Sequence, residues 1–147
     1  ACADNSVCII KDDYHEFLEK LFLCDAMIVG SPVYSRNVTG QLLSLFNRNH
    51  CMSLHRPTHH KRPFQDRICF GGAIAVGGSP NSQGVTLTIL HNLLLSLGVC
   101  CVPAVQNGVS AVAREKGAVL SQPKSLGDAK VLGENILRVL KKTSVTV

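Results

Sequence analysis

The sequence predicts an α/β domain in which helices flank a parallel β-sheet. Apolar runs of strand length end in glycine, segments with helical spacing of apolar residues lie between them, and the two kinds of segment alternate along the chain. This alternation is typical of right-handed βαβ units. With 147 residues, 46% of them hydrophobic, residues 1–147 are predicted to form a single domain with an ordinary core.

The first half of the chain predicts two helices around one strand. Apolar residues recur at helical spacing from Asp13 to Leu23, and again from Val38 to Phe46. Between them, the short apolar run from Ala26 to Gly30 is predicted to be a buried parallel strand. The stretch from Asn49 to Asp66 has no period and contains two prolines, so it is predicted to be a long loop that is mobile without a ligand or partner.

The second half continues the alternation. A strand is predicted from Gly72 to Gly77, an apolar helix from Val85 to Leu97, a strand from Val99 to Val102 and a final amphipathic helix from Leu126 to Lys142. The helix from Val85 to Leu97 has apolar residues on more than one face, whereas a helix covering a sheet needs one apolar stripe. The surplus predicts burial against a second subunit, hence a homodimer or homotetramer, or against a further N-terminal segment.

Charge and hydropathy bear on whether the protein binds nucleic acid or a membrane. Much of the formal net charge of +5 lies between Arg48 and Arg67, together with four of the six histidines. A basic loop attracts nucleic acid or nucleotide phosphates, but no aromatic interleaving accompanies it, so no nucleic-acid partner is predicted. No apolar run reaches the roughly 20 residues of a membrane span. With no secretory signal visible, the sequence predicts a cytoplasmic protein without a membrane partner.

One group of metal-ligand residue types lies in the basic loop. Cys51, His55, His59 and His60 form a C-x3-H-x3-H-H cluster, which raises the alternative of a zinc site. The spacing does not match a standard zinc finger, so solvated histidines are the preferred interpretation.

Two loops at strand ends are the candidate ligand site, since ligands of parallel sheets bind at the carboxyl ends of the strands. Gly30-Ser-Pro-Val-Tyr34 leaves the first strand, and Gly77-Gly-Ser-Pro-Asn-Ser-Gln-Gly84 leaves the second. Proline stiffens both loops, the glycines permit close approach of a ligand, and Tyr34 offers a ring for stacking. Both loops suit a planar, hydrogen-bonding ring, although either one alone is equally consistent with a simple connection.

The motifs resemble those of the NAD(P)H-dependent FMN reductase and iron–sulfur flavoprotein family, which has a flavodoxin-like, doubly wound parallel sheet. The resemblance rests on Gly30-Ser-Pro-Val-Tyr34 with Thr39 to Arg48, and on Ala73 to Ser79 with Gln83. It implies an FMN-binding redox protein that takes electrons from NAD(P)H and passes them to a small-molecule or protein acceptor. The implied FMN-binding residues are Ser31, Pro32, Val33, Tyr34, Ser35 and Asn37 on one side of the flavin ring and Gly77, Gly78, Ser79 and Asn81 on the other. No side chain is implied as a catalytic acid or base, because hydride chemistry belongs to the flavin.

The N-terminal cysteines add a narrower implication. Iron–sulfur flavoproteins carry four cysteines in a compact run, and Cys2 and Cys8 resemble the last two in position and spacing. The resemblance therefore implies that Cys2 and Cys8 are metal ligands, and that a [4Fe-4S] cluster forms where two further thiolates are supplied.

The family also begins with a strand, a phosphate-binding loop and a helix that do not occur after Ala1. In a sheet ordered 2-1-3-4-5 the run from Ala26 to Gly30 is strand three, so we expect a domain that lacks its N-terminal strand and phosphate loop. The edge of that strand is then expected to lie open. The alternative function is a non-catalytic flavodoxin-like module that binds a ligand or partner without turnover.

Overall fold

A computed structural model describes residues 8–49 and 68–143, and it confirms a parallel sheet flanked by helices. The predictions for Cys2, for the loop beyond Asn49 and for the histidine cluster concern residues outside the described ranges. In chain order the elements are α1 (Tyr14–Leu23), β1 (Ala26–Pro32), α2 (Gly40–Arg48), β2 (Phe70–Gly77), α3 (Gln83–Ser96), β3 (Cys100–Cys101), β4 (Val109–Val112), a 3₁₀ turn (Ala118–Ser121) and α4 (Pro123–Thr143).

Two helices surround β1 in the first half of the chain, as predicted. Tyr14 and Leu21 are buried on the inner face of α1, about two helical turns apart. Thr39 begins α2, because its Oγ1 accepts a hydrogen bond from the Leu42 amide at 3.2 Å and satisfies a backbone donor of the first turn. Phe46 is buried near the other end of α2.

The sheet is centred on β2, and every strand pair is parallel. β1 pairs with β2 over its whole length, from Ala26 opposite Phe70 to Pro32 opposite Val76. β3 and β4 share the other side of β2, where β3 pairs with Phe70 and Gly71 and β4 pairs with 74–77. β3 and β4 are two pieces of one interrupted strand. β1, β2 and this interrupted strand therefore correspond to strands three, four and five of the expected order 2-1-3-4-5.

Helices cover the two faces of the sheet separately. On one face α1, α2 and α3 enclose a core that includes Val29, Phe46 and Leu90. On the other face α4 packs Leu132 and Ile136 against Phe70 and Val109. Two helical layers around a parallel sheet are the arrangement that βαβ units produce.

The apolar surplus of α3 is mostly buried within the chain. Leu87, Leu90 and Leu94 are in the core, and Ile89 and Leu93 pack partly against it. The two apolar side chains of α3 that stay exposed are Val85 and Leu95. The sheet therefore accounts for most of the burial that the sequence analysis assigned to a second subunit or a further segment.

The third strand differs most from its prediction. The expected strand Val99–Val102 is reduced to Cys100–Cys101, and β4 lies between it and the final helix, where no strand is predicted. The residues Val109, Ser110, Ala111 and Val112 alternate between more and less buried positions, which is strand periodicity in a run of only four residues. A run this short is easily missed because it spans only two pleats.

Candidate functional site

The ends of β1 and β2 bring the two predicted loops together, because the strands are parallel neighbours. A cavity of about 270 Å³ lies between the loops. Its lining residues are Val33, Ser35, Arg36, Gly78, Ser79, Pro80, Asn81 and Ser82. Five residues of the predicted flavin site, drawn from both loops, therefore contribute to one cavity: Val33, Ser35, Gly78, Ser79 and Asn81.

The loop after β1 closes in a tight turn. The amide of Tyr34 donates to the carbonyl of Asn37 at 3.1 Å, and the amide of Asn37 donates back to Tyr34 at 2.9 Å. Between them, Ser35 and Arg36 have φ values of 50° and 62°. Two consecutive left-handed residues define a type I′ turn, which normally uses Gly, Asn or Asp. Left-handed non-glycine residues are strained, and such strain is commonly found at ligand sites.

The side chain of Ser31 stabilises this loop through two hydrogen bonds. Its side chain is buried, its Oγ donates to the Pro32 carbonyl at 2.8 Å, and it accepts a hydrogen bond from the Thr39 amide at 3.1 Å. The hydroxyl thus ties the end of β1 to the start of α2. A direct contact between Ser31 and a cofactor stays a prediction.

Three other predicted residues of this loop lie outside the cavity lining. Pro32 is exposed and has no amide donor. The Tyr34 ring is also exposed, at 64% of its surface, so it is accessible for stacking. The Asn37 side chain accepts a hydrogen bond from the Val38 amide at 2.8 Å and stabilises the exit from the turn.

Three consecutive carbonyl groups of the loop after β2 are held by the protein. The Gly77 carbonyl accepts from the Ala113 amide at 2.8 Å, and the Gly78 carbonyl accepts from Arg114 Nε at 2.7 Å. The Ser79 carbonyl accepts from Ser82 Oγ at 2.9 Å and from Gln83 Nε2 at 3.1 Å. Gln83 also donates to the carbonyl of Ala111 at 3.0 Å, which joins the loop to β4.

Gly77 and Gly78 differ in the space around them. A Cβ on Gly77 would lie 2.5 Å from Ser82 Oγ and 2.9 Å from Gln83 Nε2, so only glycine fits there without displacing them. A Cβ on Gly78 would meet nothing closer than Arg114 Cγ, at 3.8 Å. A side chain at Gly77 would therefore displace the two side chains that bond the Ser79 carbonyl, whereas Gly78 leaves its surface open to a ligand.

Sequence reasoning missed several residues of this site. Arg36, Pro80 and Ser82 line the cavity, and Arg114 and Gln83 hold the second loop from outside it. Arg114 belongs to the charged triplet Arg114-Glu-Lys116, which is typical of a solvated loop, and its contact joins residues 36 positions apart. No local pattern reports such a contact.

Cys8 lies in a second cluster, beside the end of α2. Arg48 Nη2 donates to Cys8 Sγ at 3.3 Å, and the same guanidinium bonds both carboxylate oxygens of Asp12 at 2.7 and 2.9 Å. Its Cζ lies 3.9 Å from the centroid of the Tyr14 ring. The pKa of the Cys8 thiol is lowered, first by a hydrogen bond with the backbone at Ile10 and then by Arg48.

The thiolate is the form of cysteine that binds metals, so the surroundings of Cys8 suit a ligand. Within residues 8–49 and 68–143, no group of three or more His, Cys, Asp and Glu side chains is placed to hold a metal ion. No helix in these two ranges is long and apolar enough to cross a membrane.

Comparison with known proteins places the chain in a family. The family model of the NADPH-dependent FMN reductases matches residues 1–113. An iron–sulfur flavoprotein of Methanocaldococcus jannaschii is 32% identical over 145 residues, which cover 95% of this chain and 71% of that protein. An iron–sulfur flavoprotein of Methanosarcina thermophila is 34% identical over 103 residues, covering 69% of this chain and 50% of that protein.

A solved structure supports the fold independently. The WrbA-like flavodoxin of Agrobacterium tumefaciens has a TM-score of 0.65 at 18% identity, and the match covers 86% of this chain and 73% of that one. The resemblance to a flavodoxin-like fold is thereby confirmed. The chain belongs to the NADPH-dependent FMN reductase family, and it is an FMN-binding redox protein of the oxidoreductase class.

Proposed function

We propose that the protein binds FMN with the flavin ring between the two strand-end loops and reduces it with NAD(P)H. The cavity between the loops is the observation that supports this placement. Its volume of about 270 Å³ is just below the range of roughly 300–1,000 Å³ that is typical of ligand pockets. A cavity of this size fits part of a flavin nucleotide, so further elements are needed to hold its remainder.

The second loop supplies hydrogen-bond donors to the cavity. Because the carbonyls of residues 77–79 are all bound by protein donors, the loop presents amide groups instead. The amides of Gly78 and Ser79 have no hydrogen-bond partner among the described residues. Bound FMN supplies the hydride chemistry, and amide donors orient the ring and stabilise the charge it gains on reduction.

The placement is tested at Gly78. Gly78→Val adds a side chain to the open surface of the loop, and the backbone there requires no left-handed φ. We expect the variant to lose FMN while remaining folded. Gly84→Val is the matched control, since Gly84 has no heavy atom within 4 Å of the Cβ position and lies outside the cavity.

The measurement is flavin bound per polypeptide after purification with added FMN, with the fold monitored by circular dichroism. Equal flavin content in the two variants would contradict the placement. Bleaching of the flavin absorbance by NADPH or NADH then tests the reductant, and no bleaching would favour a module without turnover.

Cys8 and Cys2 are proposed as two ligands of a [4Fe-4S] cluster that transfers electrons between FMN and the acceptor. The support is the hydrogen bond from Arg48 to Cys8 and the similarity to proteins named iron–sulfur flavoproteins. A cluster needs four ligands, so two more must come from elsewhere.

We expect Cys8→Ser to lower the iron content of the protein. Cys24→Ser is the control, because Cys24 Sγ bonds the Leu21 carbonyl within α1; equal iron in both variants would exclude Cys8.

The assembly and surroundings of the protein also stay proposals. A homodimer or homotetramer in the cytoplasm, passing electrons to a small-molecule or protein acceptor, is consistent with the exposed apolar side chains Val85 and Leu95 on α3. Light scattering of the FMN-loaded protein tests the oligomer, and a monomer mass would contradict it.

A further inference from the structure

Arg114, two residues beyond the end of β4, bonds the loop after β2 through its side chain. The β2–β4 ladder ends with Gly77 opposite Val112, and the Ala113 amide adds one more bond to the Gly77 carbonyl. Arg114 Nε then continues this series by donating to the next carbonyl, that of Gly78, at 2.7 Å. The side chain thus extends the sheet contact by one residue, into the lining of the cavity.

The hydrogen bond from Arg114 to the Gly78 carbonyl also sets the direction of the Ser79 N–H. The described peptide bonds are all trans, and in a trans peptide the C=O and the following N–H point in opposite directions. Holding the Gly78 carbonyl towards Arg114 therefore directs the Ser79 N–H away from Arg114. Since the Ser79 amide has no partner among the described residues, it remains available to a ligand.

Nothing else in the described part of the chain holds this peptide group. Gly78 lacks a side chain that would restrict its rotation, and within the described residues its carbonyl accepts a hydrogen bond from Arg114 alone. A freely rotating peptide would present the carbonyl oxygen to the cavity part of the time. That oxygen repels the acceptor atoms of a flavin ring, whereas the amide attracts them.

We propose that Arg114 is a positioning residue that locks the Gly78–Ser79 peptide so that the Ser79 amide faces the flavin ring. The proposal rests on the proposed function. In this proposal Arg114 controls the affinity of the protein for flavin and the reduction potential of the bound flavin. Arg114 is exposed and lies just outside residues 1–113, which the family model matches. The bond, and not the positive charge alone, is the feature that matters.

Two substitutions separate the bond from the charge. Gln places its Nε2 the same number of bonds from the Cα as the Arg Nε, so Arg114→Gln keeps a donor and removes the charge. Arg114→Met places a methyl group at that position and removes both. Lys116→Ala is the matched control, since it removes a positive charge from the same loop without touching Gly78.

We expect Arg114→Met to raise the Kd of FMN about tenfold, as loss of a hydrogen bond to a charged donor predicts, and to shift the flavin midpoint potential to more negative values. Arg114→Gln should weaken FMN binding less than Arg114→Met does, because a neutral hydrogen bond to the Gly78 carbonyl remains, and Lys116→Ala should behave as wild type. Equal weakening in the Gln and Met variants would show that charge is responsible and overturn the proposal. Wild-type behaviour of Arg114→Met would also overturn it.

Hydrogen exchange of the amides in residues 77–82 provides a readout that needs no FMN. In the FMN-free protein we expect faster exchange in Arg114→Met than in Arg114→Gln, and equal exchange would overturn the proposal. If the wild-type protein bound no FMN, the proposed function would fail while this comparison would still decide whether Arg114 holds the loop.

Discussion

A single guanidinium joins the N-terminal segment to α2. Arg48 bonds Cys8 and both oxygens of Asp12, and it lies over the ring of Tyr14. The Tyr14 hydroxyl in turn donates to Asn49 Oδ1 at 2.6 Å. A planar guanidinium forms paired hydrogen bonds and a ring contact at the same time, which lysine does not do. Arg48 therefore holds Cys8 in position, and it adds to the backbone hydrogen bond at Ile10 in lowering the pKa of the thiol.

The ion pair between Asp12 and Arg48 predicts a pH dependence of stability. The hydrogen bond from Arg48 lowers the pKa of Asp12 below its ordinary value of 3.8. The unfolded chain has the ordinary value, so the stabilisation is present above it and is lost as the pH falls through the lower, folded pKa. We expect Asp12→Asn to reduce the free energy of unfolding at about pH 7, and we expect the difference from wild type to shrink when the pH is lowered to about 2.5.

Urea unfolding at the two pH values measures this effect. Glu16→Gln is the control, because Glu16 pairs with Lys20 one turn along α1 and both side chains are exposed. Exposed pairs of this kind contribute little, so its loss should be smaller. A difference for Asp12→Asn that persisted at the lower pH would contradict the role of the ion pair.

At the scale of elements, the open edge of β4 is occupied by a side chain. Gln122 Oε1 accepts from the Val112 amide at 3.4 Å, and Gln122 Nε2 donates to the Val112 carbonyl. Ser125, in the first turn of α4, donates to the Ser110 carbonyl at 3.0 Å. An edge strand with free amides and carbonyls is a template for pairing with another chain. Gln122 takes the place of a further strand.

Removal of this side chain should destabilise the protein and expose the edge. We expect Gln122→Ala to lower the free energy of unfolding by about 1–2 kcal/mol, the range for hydrogen bonds to a partly buried backbone, and to increase aggregation during refolding. Ser121→Ala is the control, because Ser121 bonds only the Ala118 carbonyl of its own turn. Urea midpoints and light scattering measure both effects; indistinguishable variants would rule out a protective role for Gln122.

Most elements could be predicted from the sequence because their hydrophobic period is long enough to read. α1 begins one residue after its predicted start at Asp13, and β1 continues two residues beyond Gly30, through Pro32. β2 begins earlier than predicted because Phe70 and Gly71 pair with both β1 and β3, and such contacts leave no local pattern in the sequence. Strand pairing supplied by a distant segment outweighs the weak strand propensity of glycine.

The candidate site was predictable in its backbone but not in its side chains. Glycine and proline mark the two loops locally, and parallel pairing then brings Ser35 and Asn81 to one cavity. The left-handed backbone at Ser35 and Arg36 has no signature in the sequence, because neither is a residue that favours it. The contact of Arg114 depends on the register between β2 and β4, which only the folded sheet defines.

On the scale of the whole molecule, the two faces of the sheet are covered unequally. Val29 and Ser31 of β1 are buried towards α2 and α3, whereas Ile28 on the other face is 48% exposed. The outer edge of β1 has no strand partner among the described residues. Pro32 ends this edge without an amide donor, which limits pairing there.

The face covered by α4 depends on a close contact at the centre of the sheet. Leu132 is fully buried, and it lies directly over Gly72 of β2. A Cβ on Gly72 would be 2.5 Å and 2.9 Å from the two methyl carbons of Leu132. The Leu132 side chain therefore occupies the space that a side chain at position 72 would need.

This complementarity predicts that the two positions are coupled. Gly72→Ala should destabilise the protein by about 1–3 kcal/mol through overpacking, and Leu132→Ala by about 2–5 kcal/mol through the cavity it leaves. In the double variant the new methyl group enters that cavity, so the total loss should be smaller than the sum by more than about 0.5 kcal/mol. Urea unfolding of the four proteins measures the cycle, with Leu137→Ala as control because Leu137 of the same helix is 57% exposed. Additive losses would show that α4 moves freely enough over β2 to absorb each change alone, and that the close packing at Gly72 does not fix the position of the helix.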